Sequence, residues 1–179
     1  MATTIYLLCS VSTLKEQTNI HENVSDKQLM TALREAQEIK LREVLGDALL
    51  DKLKDLCKAG AIDVEGNEMY RALVERSQFY LCYEAVAALA VKLSYKITNM
   101  GLIRTSGDNT ETATWEEVVS LKEYYADTAA SYLLQLQDWI YKNRTSFPEL
   151  TQNGCAAIHA GLRQGAYQSR HGLLPLHGF

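Results

Sequence analysis

The sequence predicts an all-α fold: a helical bundle with two long antiparallel helices, a shorter helical hairpin and an extended C-terminal arm. Three observations lead there. Only two prolines occur in the 179 residues, Pro148 and Pro175, so almost no position is barred from a helix interior. The run from Phe79 to Val91, FYLCYEAVAALAV, carries Glu84 as its single charge, and a helix apolar nearly all round must be covered on every side. Elsewhere apolar residues recur every three or four positions between capping signals.

Ile5 to Val11 is a short apolar segment followed by polar text, either a small strand or an arm that docks elsewhere. Ser25 offers an N-cap with Gln28 three residues on, a capping-box pattern. Leu29, Leu33, Ala36, Ile39 and Val44 follow at helical spacing as far as Gly46, a C-terminal stop. A second helix from Asp47 to Ala59 puts Leu49, Leu53 and Leu56 on one face and ends at Gly60, so the two form a helical hairpin or a kinked pair. AIDVEGN, Ala61 to Asn67, reads as a loop.

The long helix runs from Glu68 to Thr98, with Met69, Leu73, Tyr80, Tyr83, Ala87, Ala90 and Ile97 on its repeating face and Gly101 closing it. At 1.5 Å per residue it is a rod of about 45 Å. Arg104 to Ala113, RTSGDNTETA, is an exposed polar loop. Thr114 and Glu117 make a second capping box, opening a last helix whose face carries Trp115, Val118, Lys122, Tyr125, Ala129, Tyr132, Leu136 and Trp139 through Ile140. Ser146-Phe147-Pro148 ends the core. The chain thus divides into an N-terminal arm or docking segment (1–18), a helical domain (19–150) and a Gly-rich C-terminal arm (151–179).

Composition narrows the function classes. Hydrophobic residues at 47% and charged residues at 22% are ordinary for a folded domain. A net charge of −4 gives no general attraction to nucleic acid. Cys9, Cys57, Cys82 and Cys155 are far apart, which suits reduced, mostly buried thiols better than a disulfide framework. The N-terminal MATTIYLLCSV has no Lys or Arg ahead of its apolar run, and bulky Leu8 precedes Cys9 where a lipoprotein signal wants a small residue. No apolar run reaches the ~20 residues of a membrane span, so a cytosolic or particle-bound protein is expected.

No arrangement of nucleophile and base, and no Gly-rich phosphate loop, is present, so no enzyme activity and no cofactor are expected. Cys155, His159, His171 and His177 are loosely within zinc-ligand spacing, but zinc sites usually present a tighter Cys or His pair on a turn. No structural metal is expected. Glu84 is expected to pair with a cation from a neighbouring helix or subunit, because buried charges are normally paired. Tyr80, Tyr83, Tyr124, Tyr125, Tyr132 and Trp139, at helical spacing, are expected to be packing residues rather than a ligand platform.

Read as continuous text, ALREAQEIKLREVLGDALLDKL (Ala32 to Leu53), YLCYEAVAALAVKLSYKITNMGLIRTSGDNTETA (Tyr80 to Ala113) and LKEYYADTAASYLLQLQDWIYKN through FPEL (Phe147 to Leu150) resemble a family of small virion proteins. These are the head-completion or head-to-tail connector proteins of tailed phages and prophages of gut Bacteroides-type bacteria, including the crAss-like group. The resemblance covers Asn19 to Leu150. It implies a structural virion protein made in the host cytoplasm: an adaptor forming a homo-oligomeric ring between portal and tail. Its partners would be the portal protein and tail or second adaptor proteins, with genomic DNA passing through the channel unread. The alternative is a ligand-binding or enzymatic helical bundle with a pocket between the two long helices.

From Thr151 the text changes. The last 29 residues hold five of the ten glycines, no Asp or Glu, and three of the four histidines. They have too few apolar residues at any period to build a core of their own. They do carry Ile158, Leu162, Tyr167, Leu173, Leu174, Leu176 and Phe179, apolar anchors wasted on a free tail. Ordering such an arm costs about 1 to 2 kcal/mol per backbone residue, which only several anchors buried together, at about 1.5 to 3 kcal/mol each, offset. The arm is therefore expected to dock on an adjacent subunit or ring. Arg163 and Arg170 are the alternative DNA-facing charges of the arm, and Arg104 joins the residues expected at a partner or subunit contact.

Overall fold

A computed structural model of the chain describes residues 6–98, 101–104 and 113–150. They are mostly helical. The elements are α1 (Val11–Gln17), α2 (Asp26–Glu35), a π-helical turn (Ala36–Leu41), α3 (Arg42–Lys58), α4 (Glu68–Ser94), a hairpin of β1 (Tyr95–Thr98) and β2 (Gly101–Arg104), α5 (Trp115–Lys142) and a 3₁₀ turn (Arg144–Ser146).

α4 is the axis. Across Phe79–Val91 only Phe79 is exposed; Tyr80, Leu81, Cys82, Ala85, Val86, Ala87 and Leu89 are buried. α5 packs along it with Val118, Tyr125, Ala129, Leu136 and Ile140 inward. Residue numbers along α5 fall as those of their contact partners rise along α4, from Arg76–Trp139 through Phe79–Tyr132 to Tyr83–Tyr125, so the two rods are antiparallel. α2, with Leu29, Ala32 and Leu33 buried, and α3, with Leu45, Leu49, Leu50 and Leu53 buried, contribute to the same core. So do Leu8, Cys9 and Leu14 from the N-terminal segment.

The structure differs from the sequence expectation in several places. α4 stops at Ser94, and the stretch expected to finish the helix is an antiparallel hairpin with register Tyr95↔Arg104 to Thr98↔Gly101. β-branched Ile97, Thr98 and Ile103 fit a pleated ladder better than a helix end, and Gly101, expected as a helix stop, begins β2. Ser25 does begin α2, but its side chain makes no cap bond; the helix is entered through its carbonyl, which accepts from Gln28 and Leu29. The capping box at Thr114 and Glu117 is complete. α1, capped by the Ser10 hydroxyl accepting from the Thr13 amide at 3.0 Å, had been hidden in polar text.

Ile39, expected on the core face, is 54% exposed. The cause is the π turn. One extra residue per turn shifts the inward positions from Leu33 and Ala36 to Gln37 and Leu41, and Ile39 rotates outward. Past it, Gly46 adopts φ 75° and ψ 166°, a conformation open essentially to glycine alone, so the chain breaks and restarts at Asp47 as the sequence indicated. Arg42 fastens the break by pairing with Glu38 before it and with Asp47 and Asp51 after it. A Cβ at Gly46 meets nothing within 4 Å, so Gly46→Ala pays backbone strain only. The expected loss is about 1 to 2 kcal/mol in urea unfolding.

Candidate functional site

The groove between α4 and α5 is lined by rings because both helices carry aromatics on the flank of their buried face. Tyr124 and Tyr125 meet edge to face at 5.4 Å. Tyr83 then lies 5.9 Å from Tyr125 and 5.2 Å from Tyr132, and Phe79 stacks on Tyr132 at 5.5 Å. Beyond, the Arg76 guanidinium covers the Trp139 ring at 5.1 Å, Trp139 lies 5.9 Å from Phe147, and Phe147 meets Tyr70 edge to face at 5.5 Å. The Tyr70 hydroxyl donates to the Glu149 carboxylate.

This is a packing seam with one exposed margin. Tyr80 and Tyr125 are buried, whereas Phe79 and Tyr124 are 42% and 63% exposed. Burial, followed by its neighbouring tyrosines, pushes the Tyr83 phenol up. Arg76, Phe79, Tyr132, Gln135 and Leu136 edge a small open cleft here, between the long helices where the alternative reading placed a pocket. Its polar lining is Gln135 and Arg76, the latter lying over the Trp139 ring.

The second built feature holds the N-terminal segment. Gln37, 1% exposed, accepts from the Leu8 amide at 2.8 Å and donates to the Tyr6 carbonyl at 2.8 Å, as a neighbouring strand would. Gln78 of α4 donates to the Leu8 carbonyl at 2.9 Å. Two side-chain amides thereby satisfy the Tyr6 carbonyl and both backbone groups of Leu8, in a segment that pairs with no strand among the described residues. Gln37 also donates to Glu38, which is bound by Arg42 and Lys54. Burial lifts the Glu38 carboxyl, but those hydrogen bonds from Arg42, Gln37 and Lys54 outweigh it and hold the group below its ordinary value. The signal for Gln37 was available as an amide placed four residues after Leu33 and four before Leu41; nothing marked its partner.

Of the residues expected at a site, Arg104 ends β2 opposite Tyr95. Ile158, Leu162, Arg163, Tyr167, Arg170, Leu173, Leu174, Leu176 and Phe179 lie outside the described residues, as do Cys155, His159, His171 and His177. Among the described residues no three His, Cys, Asp or Glu gather as a metal site. No helix among them is long and apolar enough to cross a membrane. Glu84 is half-buried beside Glu35, Ile39 and Lys40, with no ion pair among the described residues; Lys92, a turn or two along α4, pairs with Glu35 instead. The expected cation partner of Glu84 is therefore not found within the described part of the chain.

A family model described as a family of unknown function (DUF6712) matches residues 41–160, more than half of the chain. The match opens at Leu41, at the end of the π turn, and takes in α3, α4, the hairpin and α5. No curated protein and no solved structure matches.

Proposed function

The chain belongs to the DUF6712 family, and we propose for it a structural role without catalysis: a virion head-to-tail connector, an adaptor that assembles as a ring between portal and tail. The observation that carries the reading is the sequence resemblance from Asn19 to Leu150. Two features support it. The described residues form a stiff wedge, with rods of 27 and 28 residues, about 40 Å each at 1.5 Å per residue. Exposed apolar side chains, among them Met30, Ile39, Phe79, Leu121, Tyr124 and Leu134, are spread over more than one face, as lateral contacts on both sides of a ring subunit require.

On this reading DNA passes the ring without being read. The arm of residues 151–179 is the connecting element, and its apolar anchors bury against the next subunit or ring. The test is deletion of 151–179, with helicity followed by circular dichroism and assembly followed by electron microscopy of the chain alone and with a portal protein from the same phage. The expected outcome is a variant that keeps its helical core and cooperative unfolding but forms no rings and produces no infectious particles. Normal rings and normal infectivity without the arm would overturn the arm's role. Absence of the chain from purified virions would overturn the connector reading as a whole.

A further inference from the structure

Cys9 and Cys82 are 73 positions apart in sequence, yet their Sγ atoms lie 3.5 Å apart, with 1% and 0% of each residue exposed. The approach is built rather than incidental. Cys82 sits on the covered face of α4. Cys9 follows directly on the residue whose amide is held by Gln37 and whose carbonyl is held by Gln78, and Ser10 then caps α1. The backbone around Cys9 is thereby pinned on both sides, and its sulfur has one neighbouring thiol. A disulfide needs a further approach of about 1.5 Å from the present 3.5 Å, to an S–S length near 2.05 Å.

We propose that Cys9 and Cys82 are a redox modification site, forming an intramolecular disulfide with hydrogen peroxide as the oxidant and so tying the N-terminal segment to the central helix. The Cys9 thiolate attacks one peroxide oxygen and the O–O bond breaks, giving a sulfenic acid and hydroxide, which takes up the proton the thiol released. The Cys82 sulfur then attacks the sulfenyl sulfur, the S–S bond forms, and the hydroxyl departs as water with the Cys82 proton. Two thiols lose two electrons and two protons, and one peroxide becomes two waters. A dithiol reductant reverses the link by exchange.

Cys9 is the attacking sulfur because of where it lies. Tyr6 and Ser10 on either side of the pinned residues are exposed, and the segment is held outside the helices, so its local release admits peroxide to Cys9, whereas reaching Cys82 otherwise requires unpacking α4. In the packed state the hydrogen bond from Cys82 holds the Cys9 thiol below its ordinary value against burial, and the same bond and burial push Cys82 up. The link closes a long loop and so also disfavours the unfolded chain. The proposal is independent of the connector reading.

The experiment treats the full-length native chain with hydrogen peroxide, blocks remaining thiols with an alkylating reagent and maps the peptides by mass spectrometry. A linked pair of peptides containing Cys9 and Cys82 is expected, with alkylation of both reduced at least tenfold and restored by dithiothreitol. Cys9→Ser abolishes the link; Cys57→Ser leaves it intact. A link through Cys57 or Cys155, a link between chains, oxidation of Cys9 to the sulfinic acid without a link, or a link formed only after urea unfolding would each overturn the proposal.

Discussion

Phe147→Ala is expected to lower the unfolding free energy by about 3 to 5 kcal/mol, the range for emptying a buried aromatic site. The ring is fully buried although it comes after the last helix, in the turn that follows Arg144–Ser146. It closes the end of the seam, edge-on to Tyr70 and tilted against Trp139, and aromatic pairs add about 0.5 to 1.5 kcal/mol beyond area. Three attachments depend on it: α4 through Tyr70, α5 through Trp139, and the terminal turn that carries buried Leu150. Little can collapse into the vacated space, because Trp139 is fixed from above by Arg76. For a chain of this size the thermal midpoint should fall by about 10 °C. Tyr124→Ala, mostly exposed at the other end of the same seam, is the control and should stay within about 0.5 kcal/mol of the parent. A Phe147→Ala chain as stable as that control would show that the turn after α5 is not part of the core.

The contrast between these two rings shows what the sequence could and could not convey. Helical periodicity located α4, α5 and most of their inward faces, since burial of Leu73, Tyr80, Ala87, Val118, Tyr125 and Ile140 follows from spacing, whereas Trp115 and Lys122, expected on the same face of α5, are exposed. Glycine at 46 announced the break in α3 through a backbone requirement that no other residue meets cheaply. The π turn left no such mark. Gln37 and Leu41 are four and five positions beyond Leu33 and Ala36 on the core face, a shift that α-helical spacing does not announce. The β1–β2 hairpin is equally unmarked: the run from Glu68 to Met100 has neither glycine nor proline, and the β-branched Ile97 and Thr98 are a weak local signal at the end of so long a helical pattern. The Cys9–Cys82 contact is tertiary: composition gave buried thiols, and only the docking of the segment made them neighbours. The expected contact residues after Thr151 stand beyond the described chain.

Gln37→Leu is expected to cost about 2 to 3 kcal/mol and to free the N-terminal segment before the rest of the molecule unfolds. Leucine fits the volume of an almost fully buried side chain, so the loss is polar rather than a cavity. The Leu8 amide loses its acceptor, and a buried donor left unpaired costs about 1 to 3 kcal/mol. The Tyr6 carbonyl loses its donor as well, but Tyr6 is 40% exposed and water replaces the bond at small net cost. Glu38 loses one of the hydrogen bonds that hold its carboxyl low, while Arg42 and Lys54 remain. What is left to hold the segment is Gln78 on the Leu8 carbonyl and the burial of Leu8, Cys9 and Leu14. The opening that exposes Cys9 should therefore be favoured by more than a factor of ten, since about 1.4 kcal/mol is tenfold in an equilibrium constant. The measurement is the rate at which a thiol reagent labels Cys9 in a Cys57→Ser, Cys155→Ser background, with urea unfolding run in parallel. Faster labelling of Cys9 at unchanged unfolding cooperativity identifies local release of a clamped segment. Labelling that rises only together with global unfolding would mean that the amide clamp is simply part of the core, with no separate opening for it to control.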